Sequence, residues 1–488
     1  MGLFTAEEIR AAEEPVLAGT PEGTLMQRAA TGLATVCARL LGPVYGRRVV
    51  LLVGTGNNGG DALFAGAVLA RRGVRVDAVL LDADRAHPAG LSALRGAGGR
   101  VLVGGEAVSA AVRRADLVLD GMLGIGGKGG LRADAAALAD LAGASAALTV
   151  AVDVPSGIDA DTGAVEGTAF PAMHTVTFGA VKRGLVVGEG RGYAGEVHLV
   201  SIGLEPHLPV PTAFRLSDAD VAARLALPSA GDDKYSQGVV GVVAGSSAYP
   251  GAGVLCTGAA LRTRPGLVRY AGTAADGVRA AWPEAIVTAG RPADAGRVQA
   301  WVVGPGMGTD DDARSVLAEV LATDLPVVVD ADGLTMLARE QDLVRDRTAP
   351  TLLTPHDREF ERFGEPVGAD RIGAARRLAA DLGCSLLLKG DATVVAGADG
   401  TAFVNGTGTP WLATAGTGDV LSGIAGAVVA TGMDATLAGA VAAHLHGRTG
   451  QLAAECGPLI AGDLVRRLPE AIGRVRGLGG PRLGHSGT

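Results

Sequence analysis

Short apolar runs that end in glycine-rich loops and open into helices of small residues recur along this chain, and the recurrence pauses once, near residue 204. Strands that alternate with helices are joined by crossovers, so each block predicts a parallel sheet covered by helices on both faces. In the first block Arg48–Val53 reads as a buried strand, followed by a glycine turn and a helix from about Asp61 to Arg72. Further strands are expected at Val74–Leu81, Leu117–Leu119 and Ala147–Val152. Thr5 with Glu8 reads as a capping box opening an N-terminal helix, and a second helix spans Leu25–Leu41. Leu204–Thr212 holds three prolines and suits an extended linker.

The second block predicts strands at Val239–Val243, Ala300–Val303, Pro326–Val329, Thr351–Leu353, Ser385–Leu388 and Thr393–Val395, and a long small-residue helix after Asp419. The two blocks share no glycine motif, so a fusion of two unlike α/β domains is expected: residues 1–212, with the linker at 204–212, and residues 213–488. A length of 488 residues with 48% apolar and 19% charged residues supports two packed cores and excludes a disordered chain. Lys plus Arg number 43 against 51 Asp plus Glu, a net charge of −8, which argues against a phosphate-backbone binder. An aromatic content of 3% argues against a base-stacking surface. Cys37, Cys256, Cys384 and Cys456 form no CxxC and read as small side chains in a reducing compartment. The N-terminus carries Glu7, Glu8, Glu13 and Glu14 where a signal peptide needs basic residues, and the charge-free stretch Tyr235–Leu261 contains Pro250 and several glycines. A cytoplasmic protein without nucleic-acid or membrane partners is expected, with a homo-oligomer as its state.

Gly54-Thr-Gly-Asn57-Asn58-Gly59-Gly60-Asp61 follows a strand and opens a helix. With Asp82 at the end of the next strand it matches a dehydrogenase dinucleotide fingerprint. Two features oppose that reading: Asn57 and Asn58 are side chains that reach, and Asp61 places a carboxylate where a pyrophosphate would sit. A tight turn with Asp61 as a cap remains the plain alternative. Asp120 with the glycine run Gly124–Gly130, and the run Val152-Asp153-Val-Pro-Ser156-Gly, also end strands, so Asn58, Asp120 and Ser156 are expected to converge as oxygen ligands. One carboxylate among neutral oxygens suits a monovalent cation. In the second block Thr414-Ala-Gly416-Thr417-Gly418-Asp419 opens a helix, so backbone N–H groups can hold a transferring phosphate while Asp419 takes a proton from a hydroxyl. There is no GxxxxGK[ST], hence no P-loop. Lys389-Gly390-Asp391-Ala392-Thr393, Val303–Gly308 and Asp330–Gly333 end strands around the same crevice, and His356 sits one helical turn from Glu359. His444-Leu-His446 has the wrong spacing for one helical face.

The runs GTGNNGGD, the glycine loop after Asp120, VDVPSGIDADTG and TVTFGAVKRGL resemble the NAD(P)H-hydrate epimerase family over about Met1–Gly203. That resemblance implies a Rossmann-like three-layer αβα domain. It implies binding of the hydrated nucleotide by Asn57, Asn58, Gly59, Gly60 and Asp61, by Gly124, Ile125, Gly126, Gly127, Lys128, Gly129 and Gly130, and by Asp153. It also implies potassium (K+) held by Asn58, Asp120 and Ser156. Interconversion of R and S hydrates at C6 needs proton transfer, for which Asp153 is the expected acid/base and Lys182 a second participant, a solvated lysine being the alternative.

The second block resembles the ribokinase-like superfamily through GTGD. Within it the chain is most similar to the ADP-dependent NAD(P)H-hydrate dehydratases, through Lys234-Tyr-Ser-Gln-Gly238, VVAGSSAYPGAGVL, VGPGMG, DADGL, TPHDREF, KGDAT and AGTGDVLSG over about Ala213–Gly477. The resemblance implies a ribokinase-like α/β domain in which Ala252, Gly253, Gly306, Gly308, His356 and Asp419 meet the hydrate. Lys389, Gly390, Asp391, Ala392 and Thr393 with Gly416, Thr417 and Gly418 would bind the adenine nucleotide. It implies ADP as co-substrate and Mg2+ bridging its phosphates. Asp357-Arg358 after the histidine and Ala415 depart from the family pattern, as does Lys128 in the first block. A ribokinase-class small-molecule kinase is the main rival, since it would use the same Asp419 but leave a stable phosphoester. A dehydrogenase and a non-catalytic N-terminal binding module are the others.

Overall fold

The computed structural model describes the chain except residues 128, 226–228, 232, 264–265 and 478–488. It divides into two compact units, Gly2–Ala213 and Phe214–Thr488, the latter together with Met1.

In the first unit seven parallel strands lie in the order Arg100–Leu102, Arg75–Leu80, Arg48–Val53, Leu117–Gly121, Leu148–Val152, His174–Phe178 and Glu196–Val200. Alternation along Arg48–Val53 explains the layering. Val49, Leu51 and Val53 point into one core with the helices Thr24–Leu41 and Asn57–Arg71, while Val50 and Leu52 point into another with Gly105–Arg113 and Ala133–Gly143. This is the expected three-layer αβα domain. The N-terminal helix Ala6–Gly19 opens on the Thr5–Glu8 capping box.

Two sequence expectations are corrected here. The helix after the glycine loop begins at Asn57, with Gly56 at its cap, so Asp61 lies a full turn inside and caps nothing. The proline stretch is not a free linker from its start: Leu204 is fully buried in the first core, and Glu205–His207 is a 3-10 turn.

In the second unit the strand order is Ile286–Thr288, Leu267–Ala271, Val239–Val243, Ala300–Val303, Val327–Val329, Thr351–Leu353, Ser385–Leu388, Val394–Ala396 and Ala402–Val404. The first seven are parallel and the last two antiparallel. The helices Pro250–Thr263, Thr417–Val429, Ala435–Ala454 and Ala461–Val475 cover one face. Asp311–Leu321 and Arg371–Leu382 pack against strands from outside that cluster. Small residues let Thr417–Val429 pack tightly on Pro250–Thr263: a Cβ on Gly423 would lie 2.2 Å from the Cys256 carbonyl oxygen. Among the described residues no helix is long and apolar enough to cross a membrane.

Candidate active sites

In a parallel sheet the loops after every strand emerge at one end, and in both units that end collects the polar residues. In the first unit these loops line a cavity of about 950 Å³ whose walls include Glu13, Asn57, Asn58, Asp61, Gly124–Gly127, Asp153 and Lys182. Asp153 follows the strand Leu148–Val152 with a φ of +64°, and it shares this left-handed conformation with only one other non-glycine residue among those described, Ala331. The strain, about 1–3 kcal/mol, turns the carboxylate toward the strand beside it. There Oδ1 accepts hydrogen bonds from Lys182 Nζ, from the Phe178 N–H at 3.1 Å and from the Thr177 hydroxyl at 3.2 Å.

Lys182 is 1% exposed, and it donates further to Thr177 Oγ1 at 3.1 Å and to the Phe178 carbonyl at 2.9 Å. The solvated lysine considered from sequence is thus corrected to a buried one, held by a carboxylate and two further oxygens. Asp61 is buried beside the pair and its Oδ1 has no hydrogen-bond partner. Burial, then the charges of Asp153 and Glu13, push its pKa well above the usual carboxylate range, against the opposing pull of Lys182. Glu13 is shifted upward as well, by burial and then by Asp153. The cavity therefore sets an ion-paired carboxylate beside a carboxyl that favours its neutral form.

Asp120 and Ser156 meet behind this wall. The Ser156 hydroxyl donates to Asp120 Oδ1 at 2.7 Å and the Ser156 N–H to Oδ2 at 2.8 Å, while Leu123 N–H donates to Ser156 Oγ at 2.8 Å. Asn58 Nδ2 donates to the Leu123 carbonyl at 2.7 Å, so all three expected oxygen ligands share one loop cluster. Burial pushes Asp120 up to about 6, against its hydrogen bonds from Ser156. Of the other expected residues, Gly59 packs against the Gly54 carbonyl oxygen and Gly60 against Met26 and His87, two side chains of the cavity wall that Gly59 and Gly60 do not themselves line. Gly129 and Gly130 lie near Glu166, where a Cβ on Gly130 would strike the carbonyl oxygen at 1.8 Å. Lys128 lies outside the described residues. Asp82 spends its carboxylate on the N–H groups of Asp84 and Arg85, at 3.1 and 3.2 Å, the work of a local turn.

In the second unit Asp330, after the strand Val327–Val329, is the hub. Lys389 Nζ, just past Ser385–Leu388, donates to its Oδ1 at 2.7 Å, and the Ser422 hydroxyl to its Oδ2 at 2.6 Å. Lys389 also lies 3.5 Å from Glu359, whose other oxygen is 3.7 Å from His356 Nε2. Burial opposes charge on Lys389, but the Asp330 and Glu359 carboxylates outweigh it and raise its pKa. His356 caps the short helix Asp357–Phe360, its Nδ1 accepting from the Glu359 N–H at 3.2 Å. Ser422 sits one turn beyond Asp419 on Thr417–Val429. Asp419, in the first turn of that helix, is pushed up to about 6 by burial and then by the Asp330 charge, against Lys389. A Cβ on Gly418 would lie 3.9 Å from both Asp330 Oδ2 and Lys389 Nζ. One on Gly306 would meet the Ala252 Cβ at 2.8 Å, and Gly308 N–H donates to Asp332 at 2.9 Å. Gly253 packs beneath, where a Cβ would lie 2.7 Å from the Ala244 carbonyl oxygen. Gly390–Thr393 form the turn after Lys389, closed by Thr393 Oγ1 donating to the Gly390 carbonyl at 3.2 Å. Ala331 carries the other strained φ, +51°, so among the described residues each unit has one strained non-glycine residue, and it lies at the site.

Sequence reasoning missed Glu13 and Ser422 as site residues. Glu13 stands four residues after Ile9 and three before Val16, both buried, so helical periodicity already placed it on the inward stripe. Ser422 is a buried hydroxyl on an otherwise apolar stretch of helix.

Two unlike α/β units, each gathering carboxylates and a lysine at the carboxyl end of a parallel sheet, make this a two-site enzyme of the α/β class. The family model described as NAD(P)H-hydrate dehydratase matches residues 240–472, and the one described as YjeF-related protein N-terminus matches residues 22–184. The bifunctional NAD(P)H-hydrate repair enzyme Nnr of Mycobacterium leprae is 51% identical over 479 residues, covering 97% of this chain and 98% of that protein. The protein of the same name from Mycobacterium tuberculosis strain H37Rv is 53% identical over 435 residues, covering 88% and 89%. A Bacillus subtilis ADP/ATP-dependent NAD(P)H-hydrate dehydratase co-crystallized with ATP/Mg2+ is 27% identical with a TM-score of 0.48, covering 54% of this chain and 98% of that one. The chain belongs to the family of bifunctional NAD(P)H-hydrate repair enzymes. That bears out the enzyme expected from sequence and sets aside the kinase, the dehydrogenase and the non-catalytic module.

Proposed function

We propose that the first unit interconverts the R and S hydrates of NAD(P)H and that the second dehydrates the S form with ADP as co-substrate. The Asp153–Lys182 pair beside a neutral-leaning Asp61, at one wall of the large cavity, carries this reading. C6 of the hydrate bears both the hydroxyl and the ring nitrogen. Inversion there requires one of these bonds to open and reclose, with a proton given and a proton taken. A carboxylate paired with a lysine and a second carboxyl raised above the usual range can supply both halves of that exchange. Asp153, hydrogen-bonded by Lys182, is the base, and Asp61 is the acid. Lys182 holds the charge of Asp153 and its orientation.

Asp120 supplies one buried negative charge among the Ser156 hydroxyl, the Asn58 amide and the Leu123 carbonyl, a donor set that fits potassium better than a divalent ion. The ion would contribute positive charge near the Gly124–Gly127 loop and fix its backbone for a phosphate.

In the second unit Asp419 takes the proton of the C6 hydroxyl as that oxygen accepts the β-phosphoryl group of ADP, and AMP leaves. Loss of the phosphate from C6 and of a proton from C5 then restores the nicotinamide double bond. Gly416–Gly418 present backbone N–H groups to the phosphates at the helix start. Lys389, positioned by Asp330 and Glu359, adds positive charge there, while Ala252, Gly306 and Gly308 leave room for the hydrate and His356 borders it. Mg2+ would be held by the phosphates and supply charge neutralisation. The test is pure S hydrate with ADP and Mg2+: AMP and phosphate should form in step with reduced nicotinamide, and Asp419→Asn should abolish all three. A stable phosphoester of the substrate would overturn the dehydratase assignment.

A further inference from the structure

The opposite end of the first sheet carries a second cluster. His174 opens the strand His174–Phe178, and Glu196 and His198 lie on the edge strand Glu196–Val200. The parallel register pairs His174 with Glu196 and Val176 with His198. With a side-chain period of two, all three therefore share one face, the face on which Val176, Phe178 and Val200 pack against the helix-covered core. They stand at the amino ends of their strands, whereas Asp153 lies past a carboxyl end.

We propose that His174, His198 and Glu196 form a binding site for one divalent transition-metal ion of the zinc type. His174 Nδ1 lies 3.1 Å from His198 Nε2 and 3.5 Å from Glu196 Oε2, and one ligand atom from each residue falls within 4.8 Å of the other two. Two nitrogens bound tetrahedrally at about 2.05 Å from zinc stand about 3.3 Å apart, so little movement separates this arrangement from a coordinated one. A plain imidazole–imidazole hydrogen bond accounts for the first distance but not for the Glu196 carboxylate, whose Oε2 lies 3.5 Å from His174 Nδ1 and whose Oε1 lies 4.0 Å from Nδ1, the other ring nitrogen, of His198. The imidazole side chains are 16% and 13% exposed, so packing holds their orientation, and Glu196, at 68%, leaves the open side for water. Two imidazoles and one carboxylate select zinc, cobalt or nickel over magnesium and potassium, which prefer all-oxygen shells. Such an ion would tie the edge strand to its neighbour.

The test uses the full chain, freed of metal by a chelator and held in excess K+ and Mg2+. Co2+ is titrated by its visible absorption and Zn2+ by calorimetry and thermal unfolding. One equivalent of each should bind, and Zn2+ should raise the unfolding temperature. His174→Gln and His198→Gln should each weaken binding at least about tenfold and erase the thermal shift, while metal-free epimerase activity stays at the native level. Glu196→Gln, at an exposed position, should weaken binding without a folding defect and keeps the test open should either histidine variant fail to fold. Absence of uptake at micromolar metal would overturn the proposal, as would uptake unchanged in these variants, the exposed Cys456 thiol then being one candidate ligand.

Discussion

Asp153 and Lys182 are each buried and each the other's charge partner, so the two substitutions should fail differently. Asp153→Asn keeps a polar group of the same shape. It is expected to lower epimer exchange by about 10²–10⁴-fold while leaving dehydration of S hydrate unchanged, measured by separating the two epimers over time. Lys182→Met leaves a buried carboxylate without its cation and should also destabilise the unit, by about 3–5 kcal/mol, seen in denaturant unfolding. Asp419 gives a pH test with a defined sign. Its carboxyl is raised from 3.8 to about 6, so the base is lost as pH falls through 6, and the dehydratase should lose activity on that limb. The same shift means the folded protein binds this proton more tightly than the unfolded chain. The ionised group therefore penalises folding above pH 6, and the penalty fades as pH falls toward 3.8. Asp419→Asn should thus be inactive yet more stable at pH 8, by on the order of 1–2 kcal/mol after solvent screening, with the gain shrinking at pH 5.

At the scale of elements, two local features hold the sites and both are open to substitution. Ala331 is the residue after Asp330 and carries its strain to keep that carboxylate between Lys389 and Ser422. Ala331→Gly should stabilise the second unit by about 1 kcal/mol in thermal unfolding, since glycine adopts that φ without cost. Gly59→Ala should do the reverse in the first unit. The new Cβ would lie 2.3 Å from the Gly54 carbonyl oxygen, and the resulting shift of the helix start should lower epimerase activity along with stability.

The central strands were legible because they are continuous apolar runs, and Arg48–Val53, Val239–Val243 and Ser385–Leu388 fall where the sequence predicts them. Outer strands were not: Arg100–Leu102 and Ile286–Thr288 are three residues long and half exposed, and Leu267–Ala271 is interrupted by Arg269. The start of Asn57–Arg71 was hidden by its glycines, which weaken any helix signal although tertiary packing imposes the helix.

For the whole chain, the residues that act together come from distant segments. Asp61, Asp153 and Lys182 lie after or beyond three different strands, and no spacing rule joins them; only the parallel topology does. Sequence motifs therefore identified the loops, but the burial of Asp61 beside the pair and the burial of Lys182 required the fold. Each unit has its own hydrophobic core, built from residues 4–204 in one and 221–475 in the other. Residues 2–213 and 214–488 produced separately are each expected to fold and to retain one of the two reactions, checked by cooperative unfolding and by the separate assays.

The most direct measurement of the two-site account follows reduced-nicotinamide absorbance when an equilibrated mixture of R and S hydrates meets the enzyme with ADP, Mg2+ and K+. The native chain should recover all of the nicotinamide. Asp153→Asn should stop at the S fraction, apart from slow spontaneous exchange. Full recovery by Asp153→Asn at the native rate would contradict the account.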